Sequence, residues 1–249
     1  MNSGRSCCVF GDGAKLKAKE VACSKCGLDP MCKVLDYAES GSGVPEGILL
    51  RRQQVRAGAI LCESGQPFDA MYAVKSGSFK ALLSDTHAGD RVVGFYFAGE
   101  LIGVEGLAEQ RYATTVRALE ASQVCVLHLD RLQQAGKSQQ LIQKALIEML
   151  SREVAQNQQM MAALVRQNAE QRLAAFLISL LHRLNCHGFS SDQFTLRMSR
   201  SDIGSYLGLA RETVSRLLTR FQRLDLILLR NKQLQLLDED ALRLIAYSD

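Results

Sequence analysis

Ser199-Arg200-Ser201-Asp202-Ile203-Gly204-Ser205-Tyr206-Leu207-Gly208-Leu209-Ala210-Arg211-Glu212-Thr213-Val214-Ser215-Arg216 decides the fold of the C-terminal part of this chain. Ser199 and Asp202 have the Ser-x-x-Asp spacing in which an N-cap hydroxyl and an acidic side chain exchange hydrogen bonds, so a helix is expected from Arg200. It is short, ending at Leu207, because Gly208 follows and glycine enters a tight turn without a Cβ clash. A second helix is expected from Arg211 to Leu224, with Val214, Leu217, Leu218 and Phe221 on its apolar side. Two helices joined by a three-residue turn (Gly208 to Ala210) make a helix-turn-helix. Leu226–Leu229 and Gln233–Leu237 then read as a small hairpin, a wing.

Glu212, Ser215 and Arg216 stand at i, i+3 and i+4 and share one face of the second helix. They occupy its first turns, the part that enters the major groove in this motif. Arginine is shaped for guanine O6 and N7, and glutamate accepts from the cytosine amino group. Arg211 and Thr213 are placed to touch phosphate. A surface helix with an ordinary Glu–Arg pair would require the whole turn pattern to arise by chance. The charge agrees with a DNA partner: Thr195 to Leu234 holds eight basic and three acidic residues, a net of +5, whereas the whole chain carries +4. A basic module on a near-neutral body is the electrostatic footprint of a DNA binder.

Upstream, Ala169 to Leu184 reads as a mostly apolar helix. The stretch from Ser138 to Gln167 lacks Gly and Pro and is rich in helix formers. In it Ile147, Leu150, Val154, Asn157, Met161 and Leu164 recur at alternating spacings of three and four, the seam of a coiled coil. A homodimer is therefore expected; the alternative is a lone helix packed on its own domain. Further upstream the pattern changes to short β-prone runs at Ala59–Cys62, Ala70–Lys75, Ser78–Leu83, Arg91–Phe97, Thr114–Ala118 and Val124–Leu129. Gly65, Gly77, Gly89 and Gly99 punctuate them, which indicates an antiparallel barrel or sandwich. The expected organisation is an α+β chain with an N-terminal segment at 1–51, a barrel at 52–137, a dimerisation helix at 138–167 and a winged helix-turn-helix at 168–249.

At 249 residues, 47% hydrophobic and 22% charged, the composition is ordinary for a globular protein. No apolar run approaches the roughly 20 residues of a membrane-spanning helix. Met1 to Phe10 lacks the apolar core of a secretory signal, so a cytoplasmic protein is expected, with no membrane partner. Disulfides rarely persist there, and eight cysteines then read as metal ligands or redox groups. Cys23-x2-Cys26-x5-Cys32 puts three thiolates in one loop, suited to an iron–sulfur cluster, zinc or copper(I). A four-cysteine zinc site usually pairs two close-set couples, a pattern missing here. Cys125 is the best remote fourth ligand and Cys62 competes with it; spacing does not choose between them. Cys7 and Cys8 are further candidates or tail thiols, and Cys186 reads as incidental. His87 and His128 stand alone, and Gly11-Asp12-Gly13 lacks a preceding strand. With no phosphate-binding loop and no nucleophile elbow, neither an enzyme nor a small-molecule substrate is expected.

Several independent pieces carry a family resemblance. They are the Cys-x2-Cys-x5-Cys loop, Gly94-Phe95, Gly99-Glu100-Leu101-Ile102-Gly103, Ala118-Leu119-Glu120 with Val124-Cys125, and Asn168-Ala169-Glu170-Gln171-Arg172-Leu173-Ala174-Ala175-Phe176. The last are Ile203 to Leu209 and Glu212-Thr213-Val214-Ser215-Arg216. From Cys23 to the C-terminus the chain resembles the FNR (fumarate and nitrate reduction regulator) branch of the cyclic AMP receptor superfamily. The resemblance implies that the barrel is a jelly roll of the cyclic-nucleotide-binding type. It also implies a [4Fe-4S] cluster on Cys23, Cys26, Cys32 and Cys125, dimerisation and DNA binding without oxygen, and release when oxygen degrades the cluster. Glu212, Ser215 and Arg216 would read a palindrome like TTGAT-N4-ATCAA in double-stranded DNA, and barrel loops would touch RNA polymerase. A cyclic-nucleotide sensor of the same fold is the nearest rival. It would use a Glu just after the barrel Gly and an Arg-Ser or Arg-Thr pair; here Val104 follows Gly103, Glu105 is one place late, and Tyr112-Ala113 follow Arg111.

Asn157 departs from the resemblance, whose best-known members carry an acidic residue at this seam position. Facing like charges oppose pairing, while a neutral Asn fixes register without that repulsion. The cluster-free protein is therefore expected to dimerise more readily and to respond less sharply to oxygen. Sedimentation of the apo protein at micromolar concentration checks this; a strictly monomeric form contradicts it.

Overall fold

β-Branched and aromatic runs broken by glycines build the N-terminal part of the fold. The computed structural model describes residues 20–32, 51–85, 89–128, 139–164, 168–189 and 193–247. Eight strands are β1 (Arg51–Val55), β2 (Ile60–Cys62), β3 (Ala70–Ser76), β4 (Ser78–Asp85), β5 (Gly89–Phe97), β6 (Leu101–Ile102), β7 (Thr115–Ala118) and β8 (Ser122–His128). They form two four-stranded sheets, ordered β1-β8-β3-β6 and β2-β7-β4-β5. The pairs β1–β8, β3–β8, β3–β6, β2–β7 and β4–β7 are antiparallel. Met71, Val74, Phe79, Ile102, Val116, Val124 and Leu127 are buried in this part.

Every residue of β3 is buried, so both of its faces are covered, unlike a strand with one face in water. The turn from β3 to β4, which carries the chain from one sheet to the other, depends on Gly77: its φ is +88°, and a Cβ there would overlap Ser122. Ser122 belongs to β8, so the missing side chain lets a sharp turn lie directly on a neighbouring strand.

The described residues fall into two compact units, one within 1–84 and 95–153, the other within 85–94 and 154–249. In chain order the helices are α1 (Gln139–Leu164), α2 (Ala169–Cys186), α3 (Arg200–Leu207), α4 (Arg211–Arg223) and α5 (Glu239–Tyr247), with a single helical turn at Gly106–Glu109. Helix α2 starts at a capping box: Asn168 accepts from the Glu170 and Gln171 amides at 3.0 Å, and its own amide donates to the Gln171 side chain at 2.8 Å. Its buried face, with Leu173, Phe176, Leu177, Leu180 and Leu181, packs against α4 and α5.

The expected fold class holds, an antiparallel barrel followed by a long helix and a winged helix-turn-helix. Each expected strand and helix forms within a few residues of its expected ends where it is described. Leu129, Ser138 and 165–167 lie outside the described residues. Besides short helical turns, three described strands and one described helix were not expected. Strand β1, Arg51-Arg52-Gln53-Gln54-Val55, is almost wholly polar and sits at a sheet edge beside β8. Strand β6 is two residues long. Strand β9 (Gln193–Thr195) pairs with β11 (Gln233–Leu236), which also pairs with β10 (Ile227–Arg230), so the wing has three strands. Helix α5 buries Leu242 and Ala246.

Candidate nucleic-acid interface and cysteine site

The helix-turn-helix is fixed by local chemistry. Ser199 Oγ accepts from the Asp202 amide at 3.0 Å, and Asp202 Oδ2 accepts from the Ser199 amide at 3.0 Å, the reciprocal cap expected from the sequence. Gly208 ends α3 with φ +65°, in the left-handed region that disfavours a Cβ. Gly204 is needed for another reason: a Cβ on it would lie 2.5 Å from the Leu209 carbonyl oxygen. That space lets the chain turn back from α3 and start α4. Arg172 of α2 closes the turn by donating from Nη1 to the Leu207 carbonyl at 2.8 Å.

Helix α4 buries Val214, Leu217, Leu218 and Phe221, the face expected from the sequence. Its opposite face leaves Arg211, Glu212, Ser215 and Arg216 exposed and Thr213 partly so. A groove of about 430 Å³ is lined by Ser215, Arg216, Thr219, Arg220 and Arg223. The basic face thus runs two turns past the residues singled out in the sequence. The i, i+4, i+7 spacing of Arg216, Arg220 and Arg223 was the signal for it. Arg220 Nε also meets Glu170 of α2 at 3.3 Å.

The six described cysteines are thiols; Cys7, Cys8 and His87 lie outside the described residues. Cys23 opens a short turn, Cys23–Lys25, and Cys32 lies in a helical stretch described over 29–32. Two backbone ties hold this loop, one to β3 and one to the turn between β5 and β6. The Val21 amide donates to the Lys75 carbonyl of β3 at 2.9 Å, and the Gly27 amide donates to the Gly99 carbonyl at 2.6 Å. The Gly99 amide in turn donates to the Val74 carbonyl at 2.8 Å. Cys125 lies on β8 in the same sheet as β3, opposite Ala73 of β3 and Arg52 of β1. Cys62 lies on β2 in the other sheet.

Cys23 is exposed, Cys32 is half-buried, and Cys26 and Cys125 are buried. Burial pushes the Cys26 thiol up to about 11, so metal binding there must displace a proton. Burial, reinforced by Glu105, pushes Cys62 up to about 12. Among the described residues no group of three or more His, Cys, Asp or Glu side chains converges closely enough to hold a metal ion. The four thiols are nonetheless a donor set of the kind that soft metals and iron–sulfur clusters take.

On α1, Ile147 (64% exposed), Val154 (54%) and Met161 (64%) repeat at heptad spacing on the surface. Leu150 is half-buried and Asn157 exposed, while the side chain of Leu164 lies outside the described residues. Ala145 and Met149 are buried. Met149 follows Ile147 by two positions, roughly 200° around a helix, so inward and outward apolar faces are separate. No described helix is long and apolar enough to cross a membrane.

A second helix with an exposed basic face and a wing, preceded by an antiparallel barrel, defines a DNA-binding transcription regulator. Residues 171–245 match the Crp-like helix-turn-helix domain, and residues 52–139 match the cyclic nucleotide-binding domain. Transcriptional activator protein Anr of Pseudomonas protegens is 36% identical over 92% of this chain and 94% of its own. The fumarate and nitrate reduction regulatory protein of Yersinia pestis is 31% identical over 91% of this chain and 90% of its own. The solved structure of FixK2 from Bradyrhizobium japonicum shares the fold with a TM-score of 0.71 at 23% identity, covering 80% of this chain and 98% of that one. The chain belongs to the CRP/FNR family: it is a transcription regulator of FNR and Anr type, not an enzyme.

Replacing Gly204 with Ala is expected to destabilise the protein by roughly 1–3 kcal/mol, the usual cost of overpacking. Urea unfolding followed by circular dichroism checks this; an unchanged midpoint contradicts it.

Proposed function

We propose that the protein is an oxygen-responsive regulator of anaerobic transcription in the cytoplasm, active as a homodimer that holds a [4Fe-4S] cluster on Cys23, Cys26, Cys32 and Cys125. The observation that carries this reading is the attachment of the three-cysteine loop to β3, the direct neighbour of the strand bearing Cys125. Cys62, equal to Cys125 on spacing, stands in the sheet the loop is not tied to. The bound cluster would supply an oxygen-labile centre that links the loop to the barrel. Everything else is done by the chain.

In this reading residues 1–51 carry the loop, 52–137 the barrel, 138–167 the pairing helix and 168–249 the DNA module. Ile147, Leu150, Val154, Asn157, Met161 and Leu164 form the seam between two copies of α1. Exposed apolar residues at heptad spacing support that role, since pairing would remove them from water. Pairing sets two α4 helices side by side, so a palindrome is the natural target. Glu212, Ser215 and Arg216 read bases in each half of a site resembling TTGAT-N4-ATCAA, Arg211 and Thr213 hold phosphate, and barrel loops contact RNA polymerase.

The cyclic-nucleotide alternative finds little support around Gly103. The Arg111 guanidinium donates to the Gly65 carbonyl at 2.7 Å, and Glu105 accepts from Thr114 at 3.3 Å. Buried Tyr112 stacks on Tyr72, with ring centres 6.5 Å apart, and meets Phe68 edge-on at 5.3 Å. Its hydroxyl sits 2.7 Å from both Asp69 Oδ1 and the Ala70 carbonyl. Rings and internal hydrogen bonds occupy the groups that would serve a nucleotide.

Paired variants test the reading. Cys125→Ser is expected to lose iron and operator binding in anaerobic preparations, while Cys62→Ser keeps both. Arg216→Ala is expected to cost about 1–3 kcal/mol of operator binding and to relax specificity at one base pair of each half-site. Iron and operator binding that survive Cys125→Ser but not Cys62→Ser would overturn the ligand assignment.

A further inference from the structure

A buried lysine lies at the point where the cysteine loop meets the barrel. Lys75 is 6% exposed near the end of β3, a strand otherwise made of apolar and small residues. Its ammonium donates to the Val21 carbonyl, lies 3.8 Å from Cys23 Sγ and approaches Glu20 at 3.9 Å. Glu20 also meets Arg52 of β1 at 3.8 Å and is nearly half exposed. The Val21 amide donates back to the Lys75 carbonyl, so one residue grips the loop through both its backbone and its side chain.

Burying an ammonium carries a large desolvation penalty unless hydrogen bonds and opposite charge compensate. The compensation here is partial, because Val21 offers a neutral carbonyl and Glu20 is distant and wetted. A sulfur that becomes anionic on binding metal would complete it.

We propose that Lys75 is a positioning residue for the cysteine loop, which it fastens to β3 and whose Cys23 sulfur it holds beside a buried positive charge that favours retention of an anionic iron–sulfur group. The proposal rests on the cluster reading above and adds the residue that regulates how firmly that site holds its iron. Thiolate ligands and inorganic sulfide concentrate negative charge, and outer groups that offset it govern affinity and lability. In the sequence Lys75 is one charge inside an apolar strand run, and nothing local ties it to Cys23.

The test compares full-length wild-type protein with K75M, K75Q and K75R. In the apo protein, amide exchange from Val21 to Gly27 is expected to quicken about tenfold in K75M, as for loss of a buried hydrogen bond to a charged group, while β3–β8 amides stay protected. K75Q, which keeps a neutral donor one bond shorter, is expected to keep part of the loop protection. After anaerobic reconstitution with iron and sulfide, iron retention against a chelator is expected to fall about tenfold in K75M and K75Q, as for loss of an outer partner. K75R is expected to restore it, together with the visible absorbance of the loaded protein, which a purely structural role would not predict. Unchanged loop exchange in K75M overturns the positioning role, and iron retention equal in wild type, K75M and K75Q overturns the charge role. If K75M does not fold, the iron retention of K75Q decides the charge role and loop exchange in K75A decides the positioning role. A wild type that takes up no iron overturns the cluster reading instead, and the exchange comparison still decides the positioning role.

Discussion

Strand β3 is the constraint on which the N-terminal unit depends. Antiparallel pairing with β8 fixes Cys125 opposite Ala73, and pairing with β6 sets the edge beyond which Gly99 meets the loop. The loop returns to the same strand through Val21 and Lys75. A one-residue slip between β3 and β8 would turn Cys125 to the opposite face, because side chains alternate along a strand. The register is pinned by the Gly77 turn lying against Ser122, the first residue of β8. A sequence-distant cysteine thereby stands in the same sheet to which the three-cysteine loop is tied.

The C-terminal unit applies the same logic at smaller scale. Helix α4 is held by its own apolar face, by the close approach at Gly204 and by the Arg172 bond to Leu207. The Glu170–Arg220 pair is mostly exposed on the arginine side, and such pairs contribute about 1 kcal/mol or less. Its interest is positional, since it joins the first turn of α2 to the basic face of α4. Phosphate approaching that face would compete for the same guanidinium.

Legibility in the sequence followed the range of the interactions. The helix-turn-helix was readable almost to the residue because Ser199, Asp202, Gly208 and the apolar face of α4 act within a few positions of one another. Six of the eight barrel strands were readable from their own apolar runs and flanking glycines. Strand β1 was hidden because its polar residues take their strand character from β8, and β6 and β9 because two or three residues carry no period. Helix α5 was passed over although Leu242 and Ala246 stand at helical spacing. The cysteine loop was visible as a triplet; spacing left Cys125 and Cys62 open, only the family resemblance favoured Cys125, and Lys75 needed its three-dimensional neighbours.

The proposed function requires that metal on the cysteines govern pairing and DNA binding together. It is tested most directly by stripping iron stepwise with a chelator from one anaerobic preparation, while following mass by sedimentation and operator occupancy by fluorescence anisotropy. The account predicts that dimer fraction and occupancy decline in step with iron content, even if Asn157 leaves some residual dimer at the end. Full occupancy by a dimer emptied of iron would contradict it.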